Sequence, residues 1–241
     1  MPQLEAYKKE LDYSYAPGLY PSRVCIEKRP DLARRLLLSK EASGEGVDTL
    51  IRLAEEKRVR VEYADNVLKK LGKEIGKENI YAACVFEKPR DEPGESRNHI
   101  MLVNPSDAGN VGTIMRSMAG FGFRDLRIIT PAADCFHPNT VRASMGAVFH
   151  LRVSLSHEFT GTSDCRSYYP FMLIDGAATL SSVEEAAEPY TLIFGNEGAG
   201  LPQTFANIGT PLIIEQSRDI DSLNLSVAAS VAMYHFSLLK E

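Results

Sequence analysis

Apolar side chains recur along this chain with two different periods. In the first part, segments with helical spacing alternate with segments typical of buried strands. The pattern predicts helices over 31–42, 47–57 and 65–72, and strands over 59–64 and 79–87. Asp65 is expected to cap the last of these helices. Helices that alternate with short strands predict a small α/β domain, which we place at residues 1–88.

The pattern changes after a polar stretch. Residues 87–99, EKPRDEPGESRNH, contain two prolines, one glycine and almost nothing apolar, which predicts a linker over 89–98. Beyond it, short apolar runs recur at 99–105, 125–131, 149–155, 171–176, 190–195 and 211–216. Helix-patterned segments separate several of these runs. A mostly parallel sheet covered on both faces is therefore expected over 99–241.

The last segment of the chain, 221–240, is rich in small residues and is predicted to form an amphipathic helix. Leu223, Val227 and Val231 share one face of this helix with Tyr234 and Leu238. The predicted sheet domain therefore ends in a helix that has one large apolar side.

Composition adds little to this fold, but it locates the charge. The 241 residues are 44% hydrophobic and carry a net charge of −5, which is ordinary for a globular protein. Residues 1–99 nevertheless hold 19 of the 27 lysines and arginines, for example those of 52–60 and 68–77. Such a concentration can serve a nucleic-acid partner, and a solvated helical face is the alternative interpretation.

Cysteine usage and hydropathy favour a soluble, cytoplasmic protein. Cys25, Cys84, Cys135 and Cys165 lie far apart, as expected of reduced thiols. The first residues lack the apolar core of a signal peptide, and no apolar run approaches the ~20 residues that span a membrane. A histidine lies two residues after Cys135, but no second pair has ligand spacing, so no metal site is predicted.

Three polar clusters stand at the ends of predicted strands. They are NPSDAGNVGTIMR at 104–116, GNEGAGLP at 195–202 and DSLNLS at 221–226. Ligands of open α/β sheets bind beyond the carboxyl ends of the strands, so these clusters are candidates for one site. Asp221 or Ser222 is expected to cap the last helix, with Asn224 projecting from its first turn.

The glycine-rich cluster does not match the usual nucleotide motifs. GNEGAG is not G-x-G-x-x-G, and no lysine lies between Lys88 and Lys240 to complete a Walker loop. A glycine loop that carries the carboxylate of Glu197 suits a ligand that is neutral or positive at that point. The alternative is that the glycines only make a tight turn.

Together the three clusters resemble the SpoU/TrmH family of RNA ribose methyltransferases, within the SPOUT superfamily. The family's N-x-G-x-x-x-R element appears as Asn110-Val111-Gly112 followed by Arg116. Its G-x-E-G-x-G-L loop appears at 195–201, and its S-L-N-x-S-x-A helix start at 222–228. The segment RASMGAVFHLRV at 142–153 is also similar to the family. The resemblance covers about residues 98–240, and three motifs in the family's order are highly specific.

The resemblance implies a particular fold and assembly. Family members have a mostly parallel sheet that ends in a C-terminal trefoil knot, a rare exception to the rule that chains are unknotted. The small residues Ala228, Ala229 and Ser230 would suit the close passage of the final helix through that knot. Members generally work as homodimers. The first domain is similar in layout to a small ribosomal-protein-like RNA-binding domain that many of them carry.

The resemblance also implies a reaction, in which S-adenosylmethionine methylates a ribose 2′-hydroxyl of ribosomal or transfer RNA. Backbone groups at Gly195, Ile214 and Leu223 would hold this donor. Arg116 matches the family's catalytic arginine, and we expect it to bind an RNA phosphate and stabilise the developing alkoxide. Glu197 would orient Arg116 or accept the proton. The remaining matched polar residues would shape the site: Asn110, Ser222 and Asn224.

The sequence departs from the commonest family pattern at two points. Asn104-Pro105 and an extended SDAG stand where many members have Asp-Pro directly before the asparagine, and Glu215-Gln216 follow Ile214 in place of Pro-Met. These departures concern the substrate class rather than the reaction. Two alternatives stay open, namely a catalytically silent RNA-binding relative and an enzyme that methylates a base nitrogen. Further arginines are candidates for an RNA-facing patch around Arg116: Arg124, Arg127 and Arg142.

Overall fold

The structure, a computed structural model, describes residues 5–159, 165–217 and 219–239. Its first elements, in chain order, are β1 (Tyr13–Pro17), α1 (Leu19–Lys28), β2 (Ala33–Leu38), α2 (Glu45–Glu56), β3 (Arg60–Tyr63), α3 (Asp65–Glu74) and β4 (Ala82–Glu87). The later elements are β5 (His99–Val103), α4 (Ala108–Gly120), β6 (Asp125–Ile129), α5 (Pro138–Ala143), β7 (Arg152–Ser156), β8 (Ser167–Pro170), β9 (Ala178–Thr179), β10 (Tyr190–Phe194), β11 (Leu212–Ile213) and α6 (Leu225–Leu238).

These elements belong to two units. The first unit comprises the residues up to Pro89 together with Asp134–His150, and the second comprises Arg90–Ala133 and the chain from Leu151 onward. The backbone therefore passes between the units three times. The sequence pattern did not predict that residues 134–150 would join the first unit.

The first unit is built on a four-stranded sheet with the order β1-β4-β2-β3. Strands β2 and β3 run parallel, whereas β4 runs antiparallel to both β1 and β2. Helix α3 covers one face, because its Leu68 and Leu71 join Tyr15, Leu37 and Val85 in a single apolar cluster. The amphipathic pattern of α3 thus has a direct use, since one side enters the core and the other side stays in solvent.

Residues 134–150 complete the other side of this unit. The Ser14 hydroxyl, on the buried edge strand β1, donates a hydrogen bond to the Phe136 carbonyl at 2.5 Å. The rings of Phe86 and Phe149 meet edge to face with their centroids 4.8 Å apart. Ser14 and Phe86 are paired residues of β1 and β4, so this segment covers the sheet face opposite α3.

One predicted helix of the first unit is wrong. The segment 31–42 contains strand β2, in which Leu36, Leu37 and Leu38 are fully buried. Three consecutive buried leucines fit a strand covered on both faces better than one side of a helix, so tertiary burial overrides the helical propensity of leucine. Helix α3 begins at Asp65 itself, and its N-cap position is Ala64.

The second unit contains a five-stranded sheet with the order β7-β6-β5-β10-β8, and every neighbouring pair is parallel. A further parallel pair joins β11 to β9. The prediction of an α/β fold with a mostly parallel sheet is confirmed. Strands β5 and β10 are neighbours in register, with Phe194 opposite Leu102, so their carboxyl ends open side by side.

The second half of the predicted linker is fixed to this sheet. The Gly94 N–H donates to a carboxylate oxygen of Asp125 at 3.0 Å, and the Gly94 carbonyl lies 2.8 Å from Nε2 of His99. Arg152 also donates from Nε to Asp125 at 2.7 Å. Burial lowers the pKa of His99 to about 4, so this imidazole stays neutral near pH 7. Across the described ranges, no helix is long and apolar enough to cross a membrane.

Candidate active site

The site is built at the carboxyl ends of β5 and β10. After β5, Asn104 adopts a left-handed conformation with φ of 52°, which asparagine tolerates better than most residues. Its carbonyl accepts a hydrogen bond from the Asn196 side-chain amide at 2.8 Å. Asp107 then caps α4 by accepting the Asn110 N–H at 2.7 Å. The stretch that extends the first motif is therefore used to turn the chain into a helix.

Glu197 is bound by the start of α4. One carboxylate oxygen accepts from the Ser106 N–H at 2.9 Å and from the Ser106 hydroxyl at 2.7 Å. The other accepts from the Asp107 N–H and from the Asn110 side-chain amide, both at 3.1 Å. The carboxylate thus lies against backbone N–H groups at the positive end of a helix, where an anion is stabilised.

These contacts dominate the ionisation of Glu197. Partial burial alone would raise the pKa of the carboxyl, but the hydrogen bonds from Ser106 and Asn110 outweigh it and lower the pKa to about 2. Glu197 is therefore ionised near neutral pH, and its oxygens already have partners. None of its hydrogen bonds in the described chain involves Arg116, so the geometry does not provide the expected orienting contact.

The glycine loop closes on itself. The backbone of Asn196 and Gly200 exchanges two hydrogen bonds, at 3.1 and 2.9 Å. A Cβ on Gly195 would lie 2.2 Å from the Gly200 carbonyl carbon, so only glycine fits there. The close approach that this glycine allows is between two parts of the same loop.

Asn224 joins the third motif to the other two. Its side-chain oxygen caps α6 by accepting from the Ser226 N–H at 2.8 Å. The expectation that Asp221 or Ser222 caps this helix is therefore wrong. Its side-chain NH₂ donates to the Asn110 side-chain oxygen at 3.1 Å, and Asn110 in turn donates to Glu197. A chain of amide hydrogen bonds therefore connects all three motifs.

Helix α6 is shorter than the predicted helix over 221–240, because the Asn224 cap makes it begin at Leu225; Lys240 lies outside the described residues. The apolar face that the sequence pattern identified is largely exposed to solvent: Val227 is 47% and Tyr234 54% accessible. The opposite face, with Ala229 and Met233, is fully buried.

A cavity of about 490 Å³ opens beside this network. Its wall includes the three residues expected to hold the donor, Gly195, Ile214 and Leu223, together with Ser222 and Glu197. The volume is in the range of small-molecule sites. In the described part of the chain, no lysine, arginine or histidine lines it, whereas the acidic residues Glu197 and Asp221 do. Such a wall does not suit a phosphate group, but it suits a neutral or cationic ligand.

Arg116 lies on the exposed side of α4, in the third turn of the helix. Its guanidinium has no hydrogen-bond or ion-pair partner within the described ranges, which leaves its donors available to a ligand. Arg124 and Arg127 do not share this environment. Arg124 donates to the Phe123 carbonyl near the end of α4, and Arg127 pairs with Glu95.

The sequence pattern did not indicate the roles of Ser106 and Asn196, which hold the first two motifs together. The N-cap role of Asp107, which follows Ser106, could have been predicted. An aspartate directly before an apolar helical segment is a common N-cap. Among the described residues, no group of histidine, cysteine, aspartate or glutamate side chains could hold a metal ion.

Comparisons with known proteins identify a family for this chain. Residues 97–234 match the SpoU rRNA Methylase family. A 23S rRNA (guanosine(2553)-2'-O)-methyltransferase from Bacillus subtilis is 28% identical over 167 residues, which are 64% of this chain and 63% of that protein. A 23S rRNA (uridine(2479)-2'-O)-methyltransferase from Streptomyces viridochromogenes is 28% identical over 178 residues, which are 67% and 62% of the two chains. The chain thus spans less than two thirds of the length of these relatives.

Similarity at the level of the fold extends over nearly the whole chain. A SpoU methyltransferase from Streptomyces viridochromogenes, solved with the cofactor AdoMet, has a TM-score of 0.75 at 22% identity and covers 94% of this chain and 90% of its own. The likeness includes both units.

Proposed function

We propose that this chain, which belongs to the SpoU rRNA methylase family, transfers a methyl group from S-adenosylmethionine to a ribose 2′-hydroxyl of RNA, either ribosomal or transfer RNA. One observation carries the proposal. The three motifs are connected by the hydrogen bonds of Asn110, Glu197 and Asn224, beside a cavity lined by Gly195 and Leu223. The first unit would bind the RNA, with the linker over 89–98 leading to the catalytic unit.

The cavity fits this donor on chemical grounds. S-adenosylmethionine supplies an electrophilic methyl group on a positively charged sulfur. The described lining contains the acidic residues Glu197 and Asp221 and no cationic side chain, so it does not repel a positively charged sulfur. Backbone groups of Gly195, Ile214 and Leu223 would bind the donor, and apolar side chains of the wall would exclude water from it.

Arg116 is the residue that would act on the acceptor. Its guanidinium is permanently protonated, so it is not a general base. Exposed and without an intrachain partner among the described residues, it would bind an RNA phosphate and stabilise negative charge as it develops on the 2′-oxygen. Glu197, with a pKa of about 2, is a poor proton acceptor at neutral pH and would hold the loops in place. Ser222, in the cavity wall, would help shape the site.

The trefoil knot and the homodimer are parts of the same proposal. Close packing of α6 on α4 supports the knot, since the hydroxyls of Ser117 and Ser230 are 2.7 Å apart and Ala229 is fully buried. The exposed apolar stripe of α6 supports a dimer in which a second copy covers Val231 and Tyr234. Val231→Asp should then yield a monomer in sedimentation velocity, and a variant that stays dimeric would contradict this interface.

The test of function is transfer of labelled methyl groups into bulk RNA from a strain lacking the gene, followed by nuclease digestion. Methylated ribose is expected. Methylated base would indicate a base-nitrogen enzyme, and donor binding without transfer would indicate a silent relative. Arg116→Ala should abolish transfer but keep the rise in melting temperature that S-adenosylmethionine causes. Arg97→Ala, at an exposed position of the linker, serves as the control.

A further inference from the structure

Helices α4 and α6 of the second unit are joined side by side. Three pairs of side chains connect them: Asn110–Asn224, Ser117–Ser230 and Phe121–Tyr234. The pairs come in the same order along both helices, so α4 and α6 run parallel. On α4, successive members are about two turns and then one turn apart, which places all three on one side of the helix.

The hydrogen bond between Ser117 and Ser230 has a defined direction. The Ser230 hydroxyl donates to the Ser226 carbonyl at 2.6 Å, which uses the only proton of that hydroxyl. Ser117 is therefore the donor across the 2.7 Å that separates the two hydroxyl oxygens. Both serines are half-buried, so solvent competes with this bond only in part.

Ser117 directly follows Arg116, the residue that would act on the acceptor. Arg116 is exposed, so the rotation of α4 about its own axis decides where the guanidinium points. Helix α6, on the other side of the bond, lines the cavity with Leu225 and Ala228. The bond from Ser117 to Ser230 thus joins the turn of α4 that carries Arg116 to the helix that borders the proposed donor site.

The other two contacts between these helices leave this rotation free. The Asn110–Asn224 bond fixes the start of α4, but Arg116 lies nearly two turns further along the helix. The rings of Phe121 and Tyr234, with centroids 5.7 Å apart, make an apolar contact, which has no preferred direction comparable to that of a hydrogen bond. The serine pair is therefore the directional contact nearest to Arg116.

We propose that Ser117 and Ser230 are positioning residues for methyl transfer, because their hydrogen bond fixes the direction of Arg116 relative to the donor cavity. The inference rests on the proposed function, in which Arg116 acts on the acceptor RNA. A misplacement of about 1 Å in a group that acts on the substrate can cost about 100-fold in rate. One hydrogen bond outside the cavity can therefore affect the reaction far more than it affects folding.

Steady-state methyl transfer into the same bulk RNA gives the first test. Ser117→Ala should lower kcat about 10- to 100-fold and leave the KM for S-adenosylmethionine unchanged. Ser117→Thr keeps a hydroxyl at this position and should restore kcat. Ser230→Ala should resemble Ser117→Ala, and the double variant should be no slower than either single one, because the same bond is lost in each.

Ser237→Ala is the matched control on α6. The Ser237 hydroxyl donates to the Tyr234 carbonyl at 2.7 Å, as Ser230 does to Ser226, but it makes no hydrogen bond to a described residue of α4. This variant should transfer methyl groups normally. All variants should melt within about 4 °C of the unaltered chain, as expected for one lost hydrogen bond. A normal kcat in Ser117→Ala, or no rescue by threonine, would overturn the proposal.

A second measurement tests whether Ser117 acts through Arg116. Binding of a fluorescein-labelled, mixed-sequence single-stranded RNA is followed by anisotropy for the unaltered chain, Ser117→Ala, Arg116→Ala and the double variant. Each single change should weaken binding, because a phosphate contact is lost or misplaced, and the double variant should bind no more weakly than Arg116→Ala. Additive losses, or normal affinity in Ser117→Ala, would overturn the proposal.

The two measurements separate this inference from the proposed function. Failure of the unaltered chain to transfer methyl groups would refute the reaction, and the binding of the four chains would then decide by itself whether Ser117 positions Arg116. Normal transfer by the unaltered chain, together with a normal kcat in Ser117→Ala and Ser230→Ala, would refute the positioning role alone.

Discussion

Glu197→Gln tests how the three motifs are held together. The carboxylate accepts hydrogen bonds on both oxygens, and its Oε1 binds the Asp107 N–H and the Asn110 amide. Glutamine keeps one acceptor oxygen, and its NH₂ group would face either the two donors from Asp107 and Asn110 or the Ser106 N–H beside the Ser106 hydroxyl, which can turn to accept from it. One or two hydrogen bonds are lost, and each is worth roughly 1 kcal/mol. The expected loss in the free energy of unfolding is about 1–2 kcal/mol.

The lowered pKa of Glu197 gives a second estimate of its contribution to the free energy of unfolding. A pKa lowered from 4.5 to about 2 corresponds to at most about 3 kcal/mol, and solvent screening of this half-exposed group reduces it to about 1–2 kcal/mol. Because the folded pKa lies below the unfolded one, this stability is complete above about pH 4.5. It is lost as the pH falls towards about 2.

Differential scanning fluorimetry at a series of pH values measures the effect. For a chain of this size, a loss of about 1–2 kcal/mol lowers the melting temperature by roughly 2–8 °C near pH 7, and the gap should narrow on acidification. Glu185→Gln, at an exposed carboxylate of the same unit, is the control and should melt like the unaltered chain. A Glu197 variant that melts normally at neutral pH, or a gap independent of pH, would refute the reasoning.

Three further outcomes are expected. Asn224→Ala should cost about 1 kcal/mol in urea unfolding through loss of the α6 cap, whereas Ser222→Ala should be within about 0.5 kcal/mol of the unaltered chain; equal effects would contradict the cap assignment. Gly195→Ala should abolish the thermal shift caused by S-adenosylmethionine, because its Cβ would overlap the loop backbone, while Gly198→Ala, whose nearest neighbour would be 3.6 Å away, should keep it. Asp125→Asn should destabilise the chain by about 2 kcal/mol at neutral pH, because the buried Asp125 loses its ion pair with the partly exposed Arg152, and normal urea unfolding would exclude that role.

Much of the site could be predicted because it lies where parallel strands end. The apolar runs before 104–116 and 195–202 identified two such ends, and the neighbouring positions of β5 and β10 bring them together. The hydrogen bonds between the motifs could not be predicted. They join Asn110 to residues 87 and 114 positions away, and no local pattern specifies such pairings.

The failures have physical reasons as well. The segment 31–42 has the leucines of a helix, but burial on both faces of a sheet makes it a strand. The proposed arginine patch assumed that a charged residue faces solvent. Arg124 instead binds carbonyls near the end of α4, and Arg127 binds Glu95 beside the linker. The local sequence shows which side chains are charged. Whether such a side chain already binds an acid or a carbonyl depends on the fold.

The path of residues 134–150 has a consequence for any attempt to divide or recombine this protein. A gene fragment ending near Pro89 would lack residues 134–150, which pack against β1 and include Phe136, the hydrogen-bond partner of Ser14. A fragment starting after the linker would contain residues 134–150 but lack the rest of the first unit, against which they pack. Chimaeras with relatives should therefore exchange the residues up to Pro89 and residues 134–150 together. A single junction in the linker would build the first unit from two different proteins.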